Sequence, residues 1–367
     1  MGPLLGGVLV DTVSWRMVFL INLPLVALGL WAVLGYVPES RDASASGHFD
    51  WLGAGLAAIA VGGLAFGATY GQQREWRDPL AFWSLGFGLL GCVAFPILML
   101  RSHDPLVPPR LFRSRNFAVT NLATLVIYGA LYVSLYYMPL FLQGTLGYTA
   151  LAAGMAFMPG PLLLVFLSTR LGGLATRYGP RWFMATGPAL MGLSFLWFAR
   201  VPASSDPWIA RPDVLVSFVP PVGYLLDVLP GSILLGLGLA TMVSPLTAAL
   251  MQSVPEENAG LASAINNAIS RVGSPLASAL MFVFITARFY GGLATLVPGL
   301  DPSDPRLRES VSPLNRPAEN VPAVLAAATQ QASTDVFHIA MFASAAMMFA
   351  GAATAALGIE DQARRPD

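Results

Sequence analysis

NFAVTNLATLVIYGALYVSLYYMPLFLQGTLGYTALAAGMAFMPGPLLLVFLST, residues 116–169, contains no Asp, Glu, Lys, Arg or His over 54 positions. The hydrocarbon core of a bilayer is about 30 Å thick and takes roughly 20 helical residues at about 1.5 Å each. The stretch is more than twice what one span needs. Near its middle the segment GTLGYT, from Gly144 to Thr149, supplies turn residues. It reads as two membrane helices joined by a tight turn.

Working outward, charge-free runs mark further spans, because one Asp or Arg at mid-bilayer costs about 3 kcal/mol on insertion scales. They cover residues 17–38, 51–73, 79–100, 182–199, 228–255 and 336–359. Residues 258–287 form another, apolar except for Arg271, which lies beside Asn266, Asn267 and Ser270. The fold class expected is an all-α polytopic membrane protein with nine complete helices and an opening stub.

The stub is GPLLGGVLVD, ending at Asp11. About ten residues reach roughly 15 Å, half the hydrocarbon core. It is expected that either Met1 is a wrongly placed start or the chain is a fragment whose earlier helices lie elsewhere. Gly2, Gly6 and Gly7 leave one helix face bare for a close neighbour, and Pro3 bends the axis there. Similar pairs four apart recur at Gly63/Gly67 and Gly67/Gly71.

Composition agrees. Hydrophobic residues make up 55% of the 367, charged residues 11%, and mean hydropathy is +0.64; soluble domains carry about 25% charge. All 20 basic residues are Arg, and formal net charge is zero, which gives no basic patch for nucleic acid. A single cysteine, Cys92, forms no intramolecular disulfide, and His48, His103 and His338 are too scattered to suggest a metal site. The glycines Gly236 and Gly238 lie inside a span with no Lys and no preceding strand, so they are no phosphate-binding loop. Without one, ATP hydrolysis by this chain is excluded as energy source, and no clustered His, Cys or carboxylate set suggests an enzyme.

If loops alternate sides, Arg41, Arg101, Arg110, Arg113, Arg115, Arg170, Arg177, Arg181, Arg364 and Arg365 fall on one side, ten against nine on the other. Four of the nine lie in the long connection of residues 288–335, and long loops weigh less in this rule. The discounted balance, ten against five, places the C-terminus in the cytoplasm. That connection, rich in Pro and charge, is expected to be irregular chain outside the membrane. Residues 101–115, with Pro105, Pro108 and Pro109, are expected to link two bundles.

Gly2, Pro3, Gly6, Gly7, Trp15, Arg16, Asn22 and Pro24 together resemble the fifth-helix antiporter motif of the major facilitator superfamily, in its fourteen-span drug:proton antiporter branch. GGLATRYGPR, residues 172–181, is similar to that family's repeated cytoplasmic loop signature, matching at Gly172, Leu174, Arg177, Gly179 and Arg181. It has Thr176 where the signature usually has Asp. LPLFLQGTLGYTALAAGMAFMPG and VPEENAGLASAINNAISRVG look like the branch's seventh-to-eighth and eleventh helices.

The resemblance implies the following division. Residues 1–41 would close an N-terminal bundle, 42–115 supply two extra central helices and linkers, 116–359 form a C-terminal six-helix bundle, and 360–367 a cytoplasmic tail; the first four helices would be absent. It also implies multidrug-type export of small amphipathic or cationic compounds by proton antiport across the inner (plasma) membrane, with no cofactor and the proton gradient as energy source. The partners implied are the small-molecule substrate, the bilayer and a missing N-terminal portion. The alternatives are an accessory subunit that does not transport alone and an exporter of one specific metabolite. The motif from Gly2 to Arg16 would seal one side of the pathway, and the loop at Gly172, Arg177, Gly179 and Arg181 would gate it.

Tyr128, Tyr132 and Tyr136 recur every four residues along one helix face. They either present stacking rings to a cavity or belong to an interfacial aromatic belt. Asn121 faces a similar direction. Asn266, Asn267, Ser270 and Arg271 are polar where polarity is costly, and either line a cavity or bond neighbouring helices. No carboxylate falls in the middle of any expected span. The resemblance implies that proton coupling would reside in the absent helices.

Overall fold

The computed structural model describes residues 6, 9, 13–37, 50–74, 76–102, 105–255 and 258–360. Among them run α1 (Met17–Tyr36), α2 (Trp51–Gln73), α3 (Pro79–Arg101), α4 (Arg115–Leu140), α5 (Ala150–Tyr178), α6 (Arg181–Phe198), α7 (Leu229–Gln252), α8 (Ala259–Leu296), the short α9 (Pro305–Ser310) and α10 (Ala323–Gly358). Eight of these segments are long and apolar enough to cross a membrane. The ninth long helix, α6, has 18 residues and opens on Arg181. No strand is present among the described residues.

Local chemistry sets the helix ends. Asp50 accepts from the Gly53 amide at 2.7 Å and Asp78 from the Leu80 amide at 2.9 Å, capping α2 and α3; each satisfies an amide that the first helical turn leaves without a partner. The α4–α5 connection is the tight turn expected from the sequence. A π-helical turn at Phe141–Thr145 leads to Gly147, whose φ of +82° is readily accessible to glycine, and Thr149 caps α5 through the Ala152 amide at 3.3 Å. Gly179, at φ +91°, ends α5 and turns the chain into α6.

Helices α4, α5, α6, α7, α8 and α10 pack on one another around a core in which Phe141 and Phe337 stack at 3.8 Å between ring centres. The α2–α3 pair is joined through glycine. A Cβ at Gly63 would lie 2.8 Å from the Gly88 amide nitrogen, and one at Gly67 would lie 2.8 Å from the backbone of Leu85, so the two helices meet at backbone distance. Gln72 Nε2 donates to the Ser278 carbonyl at 2.7 Å and ties α2 to α8. By contrast, α1 buries none of its residues.

One sequence expectation needs correction. Residues 288–335 are not irregular throughout: α8 continues through Arg288 to Leu296, and α10 begins at Ala323. The charge-free criterion stops each span at a charge, Arg288 for α8 and Asp335 for α10, while the helical backbone runs through both. In the segment of residues 101–115, expected to link two bundles, Leu111 is buried against Phe117, Leu250, Ala262 and Ile265.

The loops at the α4–α5 turn end are stitched together. Ser205 Oγ donates to Asp227 at 2.7 Å, Trp208 Nε1 to the Ser217 carbonyl at 3.0 Å, Gln330 Nε2 to the Ala203 carbonyl at 2.9 Å, and Tyr290 Oη to the Val311 carbonyl at 3.0 Å. Burial, and then the Asp227 carboxylate, hold the Tyr148 phenol well above its ordinary pKa. At the opposite end Arg115 bonds the Leu357 carbonyl at 3.0 Å and pairs with Glu360, while Arg181 Nε donates to the Ala356 carbonyl at 2.7 Å. These cations cap the C-terminal carbonyls of α10.

Candidate functional site

Between the later part of α4, the first half of α5 and the first half of α7 lies a cavity of about 520 Å³. Its wall is mostly apolar: Leu135, Pro139, Phe157, Leu235 and Leu239, with the small residues Ala153, Gly154 and Gly160 giving it width. The polar side chains on the wall are Gln143, from the π-helical turn, and Ser232, from the first turn of α7. Ser232 is 1% exposed and its hydroxyl finds no partner among the described residues. Gly6 also stands against this cavity.

The residues singled out from the sequence lie elsewhere. Asn266 Nδ2 donates to Asn121 Oδ1 at 3.1 Å and to Thr124 Oγ1 at 2.9 Å, joining α8 to α4. Asn121 is 3% exposed and returns its own amide to the Phe117 carbonyl at 2.9 Å. Asn267 and Ser270 bond backbone of their own helix, at the Ser263 carbonyl (3.1 Å) and the Asn267 carbonyl (2.8 Å). Arg271 is exposed and makes no hydrogen bond or ion pair among the described residues. Asn266 is level with Asn121, so at about 1.5 Å per residue Arg271 stands roughly 16 Å from the level of Arg115.

Tyr128 is half-buried with its ring 6.3 Å from that of Tyr132, while Tyr132 and Tyr136 are exposed, Tyr136 edge-on to Tyr137 at 5.0 Å. Tyr132 and Tyr136 share a helical face with the cavity residues Leu135 and Pro139 without lining the cavity themselves.

In the opening motif, Gly2, Pro3 and Gly7 fall outside the described residues. Nothing described lies within 4 Å of a Cβ built on Gly6, so the close helix contact expected there has no described partner. Arg16 lies 4.7 Å over the ring of Trp15. In the loop, Gly172 backs onto Ser244 of α7, Thr176 Oγ1 donates to the Gly173 carbonyl at 2.8 Å, and Arg177 covers the Tyr178 ring at 5.5 Å. Arg181 caps α10 as described above.

The sequence pattern of the Major Facilitator Superfamily matches residues 1–278. The chain belongs to that superfamily. Multidrug resistance protein Stp of Mycobacterium tuberculosis (strain ATCC 25618 / H37Rv) is 32% identical over 306 residues, which are 83% of this chain and 52% of that protein. The lincomycin resistance protein of Streptomyces lincolnensis is 33% identical over 273 residues, 74% of this chain and 53% of that protein. The MFS-type transporter Rv1250 of Mycobacterium tuberculosis is 26% identical over 350 residues, 95% of this chain and 56% of that protein. The chain spans about half the length of these relatives. It is a multi-pass membrane protein of a transporter family, not an enzyme.

Within this major facilitator chain the sequence reading passed over Gln143 and Ser232. A signal was present: Gln143 is the one glutamine in the uncharged stretch of residues 116–169. Ser232, between Gly231 and Ile233, has no such mark, and only the packing of α7 reveals it.

Proposed function

We propose that this chain forms the substrate-handling part of a secondary active exporter that moves small amphipathic compounds out of the cytoplasm in exchange for protons. The observation that carries the proposal is the apolar cavity between α4, α5 and α7 in a chain of this superfamily. Pockets of a few hundred Å³ with few polar groups suit small lipophilic ligands. The names of two relatives, one a multidrug and one a lincomycin resistance protein, support export.

The end bearing Arg115, Arg177 and Arg181 then faces the cytoplasm, with the C-terminus and the gating loop, while the stitched loops face outward. Arg271 and Asn267, exposed on one face of α8, belong on a wet pathway, because a guanidinium facing lipid at that depth is costly. Tyr132 and Tyr136 extend the substrate surface along α4.

The test is dye accumulation in the native cell. Deleting the gene raises intracellular dye, and restoring it at the native locus reverses the change. Unchanged accumulation in the deletion strain would overturn the proposal. The unburied surface of α1 favours a second reading, in which the chain transports only in association with further helices. That reading requires a co-purifying membrane partner, and a monodisperse, transport-competent preparation of this chain alone would exclude it.

A further inference from the structure

The cavity wall has a chemical character that narrows what it accepts. Among the described residues that line it, no side chain is ionisable. Its polar groups are an amide, with two donors and an acceptor, and a hydroxyl. The Gln143 amide is exposed and has no hydrogen-bond partner within the described chain, and the Ser232 hydroxyl is buried and unpaired. Buried polar groups without partners are uncommon in folded proteins, and each asks what completes it.

The two groups stand at the same end of the cavity. Gln143 lies in the turn after α4 and Ser232 in the first turn of α7, whereas Phe157 and Leu239 lie deeper, Leu239 being about 15 Å along α7 from its start. The chamber is therefore polar at one end and apolar along its depth. The carboxylate nearest in sequence to the polar end, Asp227, is not a wall residue and accepts from Ser205 at 2.7 Å. A cation entering this chamber would lose its hydration and meet no counter-charge among the described wall residues, where Phe157 is the aromatic side chain. A neutral ligand loses much less on entry and gains the two unpaired groups.

We infer that the α4–α5–α7 cavity selects neutral lipophilic compounds carrying a carbonyl or hydroxyl at one end, with Gln143 and Ser232 as the specificity-determining groups. This rests on the reading of the cavity as the substrate chamber. The ligand lies with its polar end toward the stitched loops and its apolar body against Phe157 and Leu239.

The test uses the full chain in lipid nanodiscs with two dyes, neutral Nile red, which has a ring carbonyl, and the permanent cation rhodamine 6G. Saturable binding is read by fluorescence anisotropy against empty nanodiscs, and folding by the melting temperature. Nile red binds saturably and rhodamine 6G does not. Gln143→Leu weakens Nile red about fivefold to tenfold, the worth of one hydrogen bond. Ser232→Ala weakens it while the melting temperature holds or rises, which a purely structural hydroxyl would not do. Gln143→Glu admits rhodamine 6G.

Rhodamine 6G binding as tightly as Nile red to the unaltered chain, and lost on plugging the wall with Gly160→Leu, would overturn the selectivity while leaving the chamber in place. Nile red binding indifferent to both Gln143→Leu and Ser232→Ala would overturn the assignment of these two groups. Saturable binding of neither dye would overturn the chamber itself and the inference with it.

Discussion

Replacing Asn266 with Leu removes both hydrogen bonds that join α8 to α4 at this level, to Asn121 Oδ1 at 3.1 Å and to Thr124 Oγ1 at 2.9 Å. Thr124 keeps a partner, since its hydroxyl donates to the Thr120 carbonyl at 2.8 Å. Asn121 is 3% exposed, so its Oδ1 is left buried without a donor. Interhelical hydrogen bonds in membranes average about 0.6 kcal/mol and reach about 1.7, and an unpaired buried acceptor costs about 1–3 kcal/mol. The expected loss for Asn266→Leu is about 1–3 kcal/mol, read from reversible SDS unfolding in mixed micelles. A double-mutant cycle with Asn121→Leu isolates the pair, with an expected coupling of about 1 kcal/mol. Additive effects, within about 0.3 kcal/mol, would refute the clamp. So would an Asn266→Leu protein of unchanged stability and altered ligand affinity, which would place Asn266 in the pathway.

Three further outcomes are expected. Gly63→Leu sets a side chain against the Gly88 backbone, where a Cβ alone would be 2.8 Å from the amide nitrogen, and should lower the melting temperature markedly; an unchanged melting temperature would refute the contact at backbone distance. Gly6→Leu meets open space and should lower Nile red capacity in the cavity with no change in melting temperature; a marked fall in melting temperature would mean that Gly6 packs tightly instead. The Leu80 amide, and then the Tyr70 hydroxyl, hold the Asp78 carboxyl below its ordinary pKa. A lowered folded value means that its capping is present above the unfolded pKa and is lost as pH falls through the folded one. Hydrogen-exchange protection at the start of α3, measured against the intrinsic rate at each pH, should therefore fall on acidification, and Asp78→Asn should remove that dependence; an unchanged dependence would refute the cap.

The spans were legible because charge is expensive in lipid. The uncharged stretch of residues 116–169 could be only two helices and a turn, and Gly147 with φ +82° stands where the turn residues cluster. The ends of α8 and α10 were not legible, because nothing in the hydropathy of residues 288–296 or 323–335 separates helix beyond the membrane from loop. Polar side chains in spans were easy to find and hard to assign: Asn121 and Asn266 have the same composition signal whether they bond each other or face a ligand. Their pairing depends on the register between α4 and α8, which no single-helix pattern contains. Ser232 was invisible for a related reason, since an unpaired hydroxyl is a property of its neighbours. Gly63 and Gly67, spaced for close contact, meet α3 at backbone distance, whereas nothing described lies within 4 Å of a Cβ at Gly6.

The most direct measurement is proton-coupled dye transport in proteoliposomes made from the product purified from its native locus. With an imposed proton gradient, Nile red should move against its concentration, accompanied by proton flux in the opposite direction, and both should stop when an ionophore collapses the gradient or when Gln143→Leu and Ser232→Ala are combined. Dye movement that is indifferent to the gradient, or no movement in a folded and correctly inserted preparation, would contradict proton-driven export through this cavity.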